Sequence, residues 1–212
     1  MNRTLALLLC LIALLAGWAA YSRVAPQPTS AWASIPPQVE GLRIYFVPIG
    51  SFPVEDLQPL VQFYREKYKL EITVLDRIPL DPATLDTSRR QLMAENLAAT
   101  LRKGVPEPAR NPDALLIGFT TEDMYPVSQG WRFAFGWRLS SARAAVVSTA
   151  RLSLPAVSQT SDQDLLAARL RKIVTKDIGI LYFGLPQSEN PKSVLYNQIM
   201  GIEELDAVGE DF

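Results

Sequence analysis

Apolar residues recur at helical spacing across residues 164–185, at Leu166, Leu170, Ile173, Val174, Ile178 and Leu181. Arg169, Arg171, Lys172 and Lys176 fall largely off that stripe, so the pattern predicts an amphipathic helix resting on a core. Ser161 or Asp162 can cap its start, and Gly184 followed by Pro186 can end it. Upstream, residues 42–47 and 72–75 read as strands. Between them Leu57, Leu60, Val61, Tyr64 and Tyr68 make a second helical stripe, with Pro59 tolerated in its first turn. Residues 87–103 read as the next helix, with Leu92, Met93, Leu97 and Leu101 inward and Gly104 as its stop. A proline-rich loop at 105–112 leads to a buried strand at 114–119, and a hairpin precedes the long helix. Strands alternating with helices predict an α/β layer architecture built on a mostly parallel sheet.

A different period appears at residues 131–138. Trp131, Phe133, Phe135 and Trp137 alternate with Arg132, Ala134, Gly136 and Arg138, which predicts a strand with aromatics on one face and arginines on the other. Two uses fit it. The aromatic face can be core while the arginines solubilise the other side, or the strand can be an edge that accepts an extended peptide by main-chain hydrogen bonds.

The amino terminus has neither period. Residues 5–20 are almost purely apolar behind Arg3, the layout of a signal peptide or signal anchor over residues 1–23. The run is short for a membrane span, which needs about twenty residues. Residues 24–40 are rich in proline, serine and alanine and read as an extended linker, leaving 41–212 as one domain with a real core. The expected location is therefore outside the cytoplasm, periplasmic or extracellular, with residues 5–20 as the membrane anchor if they are retained.

Composition removes whole classes of chemistry. The chain has no histidine, which excludes histidine-based metal sites and histidine acid/base catalysis. Its single cysteine, Cys10, lies in the leading apolar run, so a cysteine zinc cluster and an internal disulfide are excluded as well. Metal would have to be held by carboxylates and carbonyls, which suit calcium or magnesium. A formal net charge of −1 without a basic patch argues against a nucleic-acid partner. No nucleophile elbow, Ser-x-x-Lys motif or glycine-rich phosphate loop is present, and no cofactor is expected.

The run Arg169-Leu170-x-Lys172-x-x-x-Lys176-Asp177-Ile178-Gly179-Ile180, followed by Gly184-Leu185, resembles the active-site helix of the archaemetzincins, a family of metzincin zinc peptidases. In that family a similar start leads into His-Glu-x-Gly-His and then Gly-Leu-x-His-Cys. On the resemblance, Lys176 stands at the first histidine ligand, Asp177 at the catalytic glutamate and Ile180 at the second histidine. With one extra residue before Gly184, Gln187 stands at the third histidine, and Leu195 replaces the methionine of the turn beneath the metal. Phe46-Val47-Pro48-Ile49-Gly50, Arg89-Arg90-Gln91-Leu92, the run from Gly118 to Tyr125, Phe135-Gly136 and the run from Val147 to Leu152 resemble further family blocks in the right order. The resemblance implies a metzincin-like twisted sheet with covering helices, whose antiparallel outer strand forms the upper rim of a substrate cleft above the long helix.

The expectation is thus a degenerate relative, more an inactive pseudopeptidase than an enzyme, binding a peptide or protein segment through Arg132, Ala134, Gly136, Arg138 and Lys176. An active metallopeptidase with atypical carboxylate ligands and a purely structural interaction domain are the alternatives.

Overall fold

Every second residue of Ile44–Phe46 and of Leu115–Phe119 is a large apolar side chain on one face, and the intervening residues are apolar too. Strands buried on both sides need helices on both sides, and the fold meets that requirement. The computed structural model describes residues 39–153 and 162–212. The expected signal segment, nearly all of the linker and the Ser161 cap lie outside these residues, as does the side chain of Asp162.

The main sheet has the order β2-β1-β5-β8-β7, formed by Arg43–Pro48 (β1), Ile72–Val74 (β2), Ala114–Thr120 (β5), Gly136–Leu139 (β7) and Ala144–Ser148 (β8). Neighbours are parallel except β7, which runs antiparallel to β8 at the edge. A second small sheet joins Leu85–Asp86 (β3), Gln91–Met93 (β4) and Met124–Tyr125 (β6). Helices Leu57–Tyr68 (α1) and Asp162–Leu181 (α4) share one hydrophobic cluster with Phe46, Ile117, Phe119 and Val147. Ala94–Gly104 (α2) packs on the other face against Val47, Leu116 and Val146. This is the mixed, mostly parallel α/β layering that the pattern predicted.

The differences lie where local chemistry overrides period. The helix expected over 87–103 starts only at Ala94. Asp86 accepts from the backbone N–H groups of Ser88 and Arg89 (2.9 and 3.2 Å) and pins a turn, and Gln91–Met93 then pairs as strand β4. Inside the expected loop 105–112, Pro106–Arg110 forms a short helix (α3), with proline at its first turn where the missing N–H costs nothing. The long helix ends at Leu181, three residues before the expected stop Gly184, which sits at φ +67°. Ile202–Ala207 (α5) carries too few turns to show a period and was not predicted.

The aromatic alternation at 131–138 also fails. Only Gly136–Leu139 is strand. The register Gly136↔Val147 and Arg138↔Ala145 turns Gly136 and Arg138 toward α4, with Trp137 and Leu139 on the α2 side. The chain bends at Phe135, so Phe133 and Phe135 join the α4-side core while Trp137 packs on the opposite face. A bend between two residues shifts everything before it to the other face, which is how one irregular step defeats a period of two. Among the described residues no helix is long and apolar enough to cross a membrane.

Candidate functional site

Helix α4 passes beneath the edge strand β7, and the gap between them is the cleft. Tyr64 of α1 fixes the helix from below: its hydroxyl donates to the Arg171 carbonyl at 3.0 Å and lies 2.9 Å from the Thr175 hydroxyl. Burial holds that phenol well above its ordinary pKa, so it stays a neutral partner. One residue along the helix, Lys176 turns up toward β7. Its side chain is buried, and its ammonium donates to the carbonyl of Tyr196.

Asp177 follows and is fully buried. Its Oδ1 accepts from Arg138 Nη1 of β7 at 2.7 Å, while Oδ2 has no hydrogen-bond partner among the described residues. Close approach of strand and helix depends on Gly136: a Cβ there would come within 3.2 Å of Ile173 and 3.7 Å of Asp177 Oδ2. A second close approach lies one turn on. A Cβ on Gly179 would meet the Phe212 ring at 2.6 Å and Leu195 at 2.9 Å, so a helix without a side chain at that point lets the 195 turn and the carboxyl-terminal segment pack against it.

The resulting cavity, of about 100 Å³, is lined by Ala134, Phe135, Gly136 and Arg138 above, Ile173 and Lys176 below, and Asn197, Ile199 and Met200 at the far side. Of the residues singled out in the sequence, Ala134, Gly136, Arg138 and Lys176 meet here. Arg132 opens into an adjoining pocket instead. Ile180 is half-buried against the main core, and Gln187 is exposed and does not line the cavity. Arg138 was expected on an arginine face presented to solvent or peptide; it turns inward and neutralises Asp177. Arg169 was likewise expected off the apolar stripe, yet its side chain is 1% exposed. The far wall, Asn197, Ile199 and Met200, has neither period nor motif, and nothing in the sequence pointed to it.

The charges set the chemistry. Burial, reinforced by the nearby Arg138 guanidinium, lowers the Lys176 pKa to about 8. Burial raises the Asp177 carboxyl above its ordinary value, against the opposing pull of Arg138. These residues do not fit a zinc ion. An ammonium bonded to a carbonyl has no lone pair to give, Ile180 has no donor, and the nearest carboxylate already faces a guanidinium. Among the described residues no three histidine, cysteine, aspartate or glutamate side chains converge as a metal set.

A depressed lysine pKa makes the protonated form a cost to folding. Stability from this group is fully present above the unfolded value of about 10.5 and is lost as pH falls through about 8. Lys176→Met should therefore raise stability at pH 7 by about 1–2 kcal/mol, since an apolar side chain of similar length replaces a buried charge. It should also flatten the rise in melting temperature between pH 8 and 10.5. Thermal melts across that range check it, and a less stable variant with an unchanged pH slope would contradict it.

No family model matches the chain. It is 30% identical to the archaemetzincin of Thermococcus kodakarensis over 159 residues, which are 72% of this chain and 82% of that protein. Two solved structures share the fold. The archaemetzincin of Archaeoglobus fulgidus, crystallised with malonate, superposes with a TM-score of 0.63 at 23% identity, covering 81% of this chain and 95% of its own. That of Methanopyrus kandleri gives 0.64 at 24%, covering 82% and 90%. The scaffold is thus the one on which the archaemetzincins are built. At 30% identity across most of a curated relative, the chain belongs to the archaemetzincin family.

Proposed function

We propose that this chain is an archaemetzincin-like pseudopeptidase, exported or held at a membrane by residues 5–20, that binds a peptide or protein segment in the cleft without zinc hydrolysis. The observation that carries the reading is Lys176. It occupies the position that the family resemblance gives to the first histidine ligand, and it presents a buried ammonium to the cleft in place of a lone pair. The edge strand supports the same reading. Ser148 N–H donates to the Phe135 carbonyl at 2.9 Å, and with the β7–β8 register this places Phe135, Trp137 and Leu139 in the bonded set. The main-chain groups of Gly136 and Arg138 then point away from β8, available to an added strand. A carbonyl or carboxylate of that strand would meet Lys176 below.

The purified protein should contain no stoichiometric zinc and show no chelator-sensitive cleavage of a peptide library. Zinc at one equivalent together with turnover would replace this reading with that of an active peptidase using carboxylate ligands. Binding is tested with Lys176→Met, which keeps the fold: a peptide captured by the wild type should bind at least about tenfold more weakly, as expected for loss of one charge-assisted hydrogen bond. Equal binding would move the peptide out of the cleft.

A further inference from the structure

Beside the cleft, separated from it by Phe133, which lines both, lies a second cavity of about 450 Å³ walled by Arg89, Arg90, Arg132 and Arg151. Four guanidiniums here face one carboxylate, Asp123, and that carboxylate is already engaged. Arg151 bonds both its oxygens, at 2.8 and 2.6 Å, and Gln91 donates to Oδ2 at 2.9 Å. Asp86 is not part of the cavity wall; it accepts from the Tyr125 hydroxyl at 2.7 Å and from the Arg89 backbone N–H at 3.2 Å.

The cluster is built rather than incidental. Arg89 lies 3.6 Å above the Tyr125 ring and donates to the carbonyls of Trp131 and Arg132 at 3.2 and 2.9 Å. Gln91 donates to the same Arg132 carbonyl at 2.9 Å, so the segment leading into the rim strand is fastened to the arginine turn. Arg151 lies 4.4 Å over Phe133. Stacked guanidiniums hold fixed planes, which lowers the ordering cost of receiving an oxyanion. Arg90 sits in the left-handed region at φ +56°, an unfavourable conformation for a residue with a side chain. The Arg90 and Arg132 side chains are exposed, and among the described residues neither makes an ion pair or hydrogen bond.

We infer that this arginine pocket is a carboxylate subsite that selects acidic side chains in the peptide held along the rim strand. The inference rests on the peptide-binding reading of the cleft and names the chemistry of its ligand. Charge excess makes the pocket an oxyanion site, and the shared Phe133 wall makes a peptide the source of the oxyanion. Arg132 and Gly136 are four residues apart, about 13 Å even when extended, so an acidic residue within about four positions of the one opposite Gly136 can reach it. Arg90 and Arg132 supply the two uncommitted guanidiniums; Arg89 and Arg151 shape the pocket.

The test uses labelled extended peptides with one common centre, carrying at either end Asp-Glu-Asp or Ala-Ser-Ala, against the wild type and an Arg90→Ser/Arg132→Ser variant. Both replaced side chains are exposed and unpaired, so the variant should melt like the wild type. The acidic peptide should bind at least about tenfold tighter than the neutral one, with an advantage that shrinks as salt rises and vanishes in the variant. Equal binding of the two peptides, or a preference that survives in the variant, overturns the subsite and leaves the cleft reading intact. A protein that takes neither peptide overturns both. Inorganic phosphate or phosphatidylglycerol vesicles serve as the third arm: variant-sensitive binding of either, without a preference between peptides, would assign the arginines to another anion and likewise overturn the inference.

Discussion

Arg138→Met should destabilise the protein by about 3–5 kcal/mol at neutral pH, because Asp177 is wholly buried and Arg138 is the one cation bonded to it among the described residues. Lys176 lies next in sequence, but its ammonium is committed to the Tyr196 carbonyl. An orphaned buried carboxylate escapes by taking a proton. Asp177 already has a raised pKa through burial, and removing the guanidinium that opposes burial raises it further. A carboxyl whose folded pKa lies above its unfolded value contributes stability that is fully present below the unfolded pKa, about 3.9, and is lost as pH rises through the folded one. The variant should therefore approach wild-type stability near pH 4 and fall furthest behind above neutrality. Arg138→Met/Asp177→Leu removes both charges and should recover most of the loss. Denaturant melts of wild type, single and double variants at several pH values measure this directly. A single variant that loses less than about 1 kcal/mol, or a double variant no better than the single, would show that the pair does not hold β7 on α4.

How much of this site was legible in the sequence depends on the kind of signal. The long helix carries six apolar positions at one spacing, and no local chemistry interrupts them, so its existence and buried face were readable. The core strand expected at 114–119 was readable for a similar reason, having no polar side chain, and the structure extends it by one residue to Thr120. The Arg138–Asp177 pair was not. It joins residues 39 apart in sequence, and the alternation at 131–138 suggested that the arginines face outward. That alternation fails at the Phe135 bend, and only the register with β8 decides which face Arg138 takes. The burial of Lys176 was hidden for a related reason: helical spacing puts it off the apolar stripe, but the rim strand and the far wall cover that flank. The far wall of the cleft is irregular chain whose position is set by packing of the 195 turn against Gly179, a contact no periodicity encodes. The family resemblance supplied what the patterns could not, namely an antiparallel rim above the helix, and β7 has that orientation.

The carboxyl-terminal segment is held by the middle of α4 and the end of α1. Arg169 bonds Asp206 through Nε and Nη2 at 2.8 and 2.7 Å and the Leu152 carbonyl through Nη1 at 2.6 Å. Arg171 pairs with Glu210 at 3.0 Å, and Lys172 donates to the carbonyls of Leu205 and Asp206 at 3.1 and 2.9 Å. Asp211 accepts from the Tyr68 hydroxyl at 3.0 Å and pairs with Lys67. Among these charged side chains only Arg169 is almost wholly buried, so its pair is the least screened and carries the most energy. Arg169→Met should cost about 2–4 kcal/mol. The lower end reflects Asp206, whose side chain is 39% exposed and regains water; the upper end reflects the Leu152 carbonyl left without its donor. Asp206→Asn should cost less, because the amide still accepts a hydrogen bond. Arg171→Met, at a more exposed pair, should fall within about 1 kcal/mol of wild type. Because the segment after Met200 continues the far wall of the cleft, hydrogen exchange should quicken in residues 197–212 of Arg169→Met before the sheet responds. Exchange that rises uniformly through β1, β5 and β8 instead would make Arg169 a part of the global core rather than the clasp of a wall that can open.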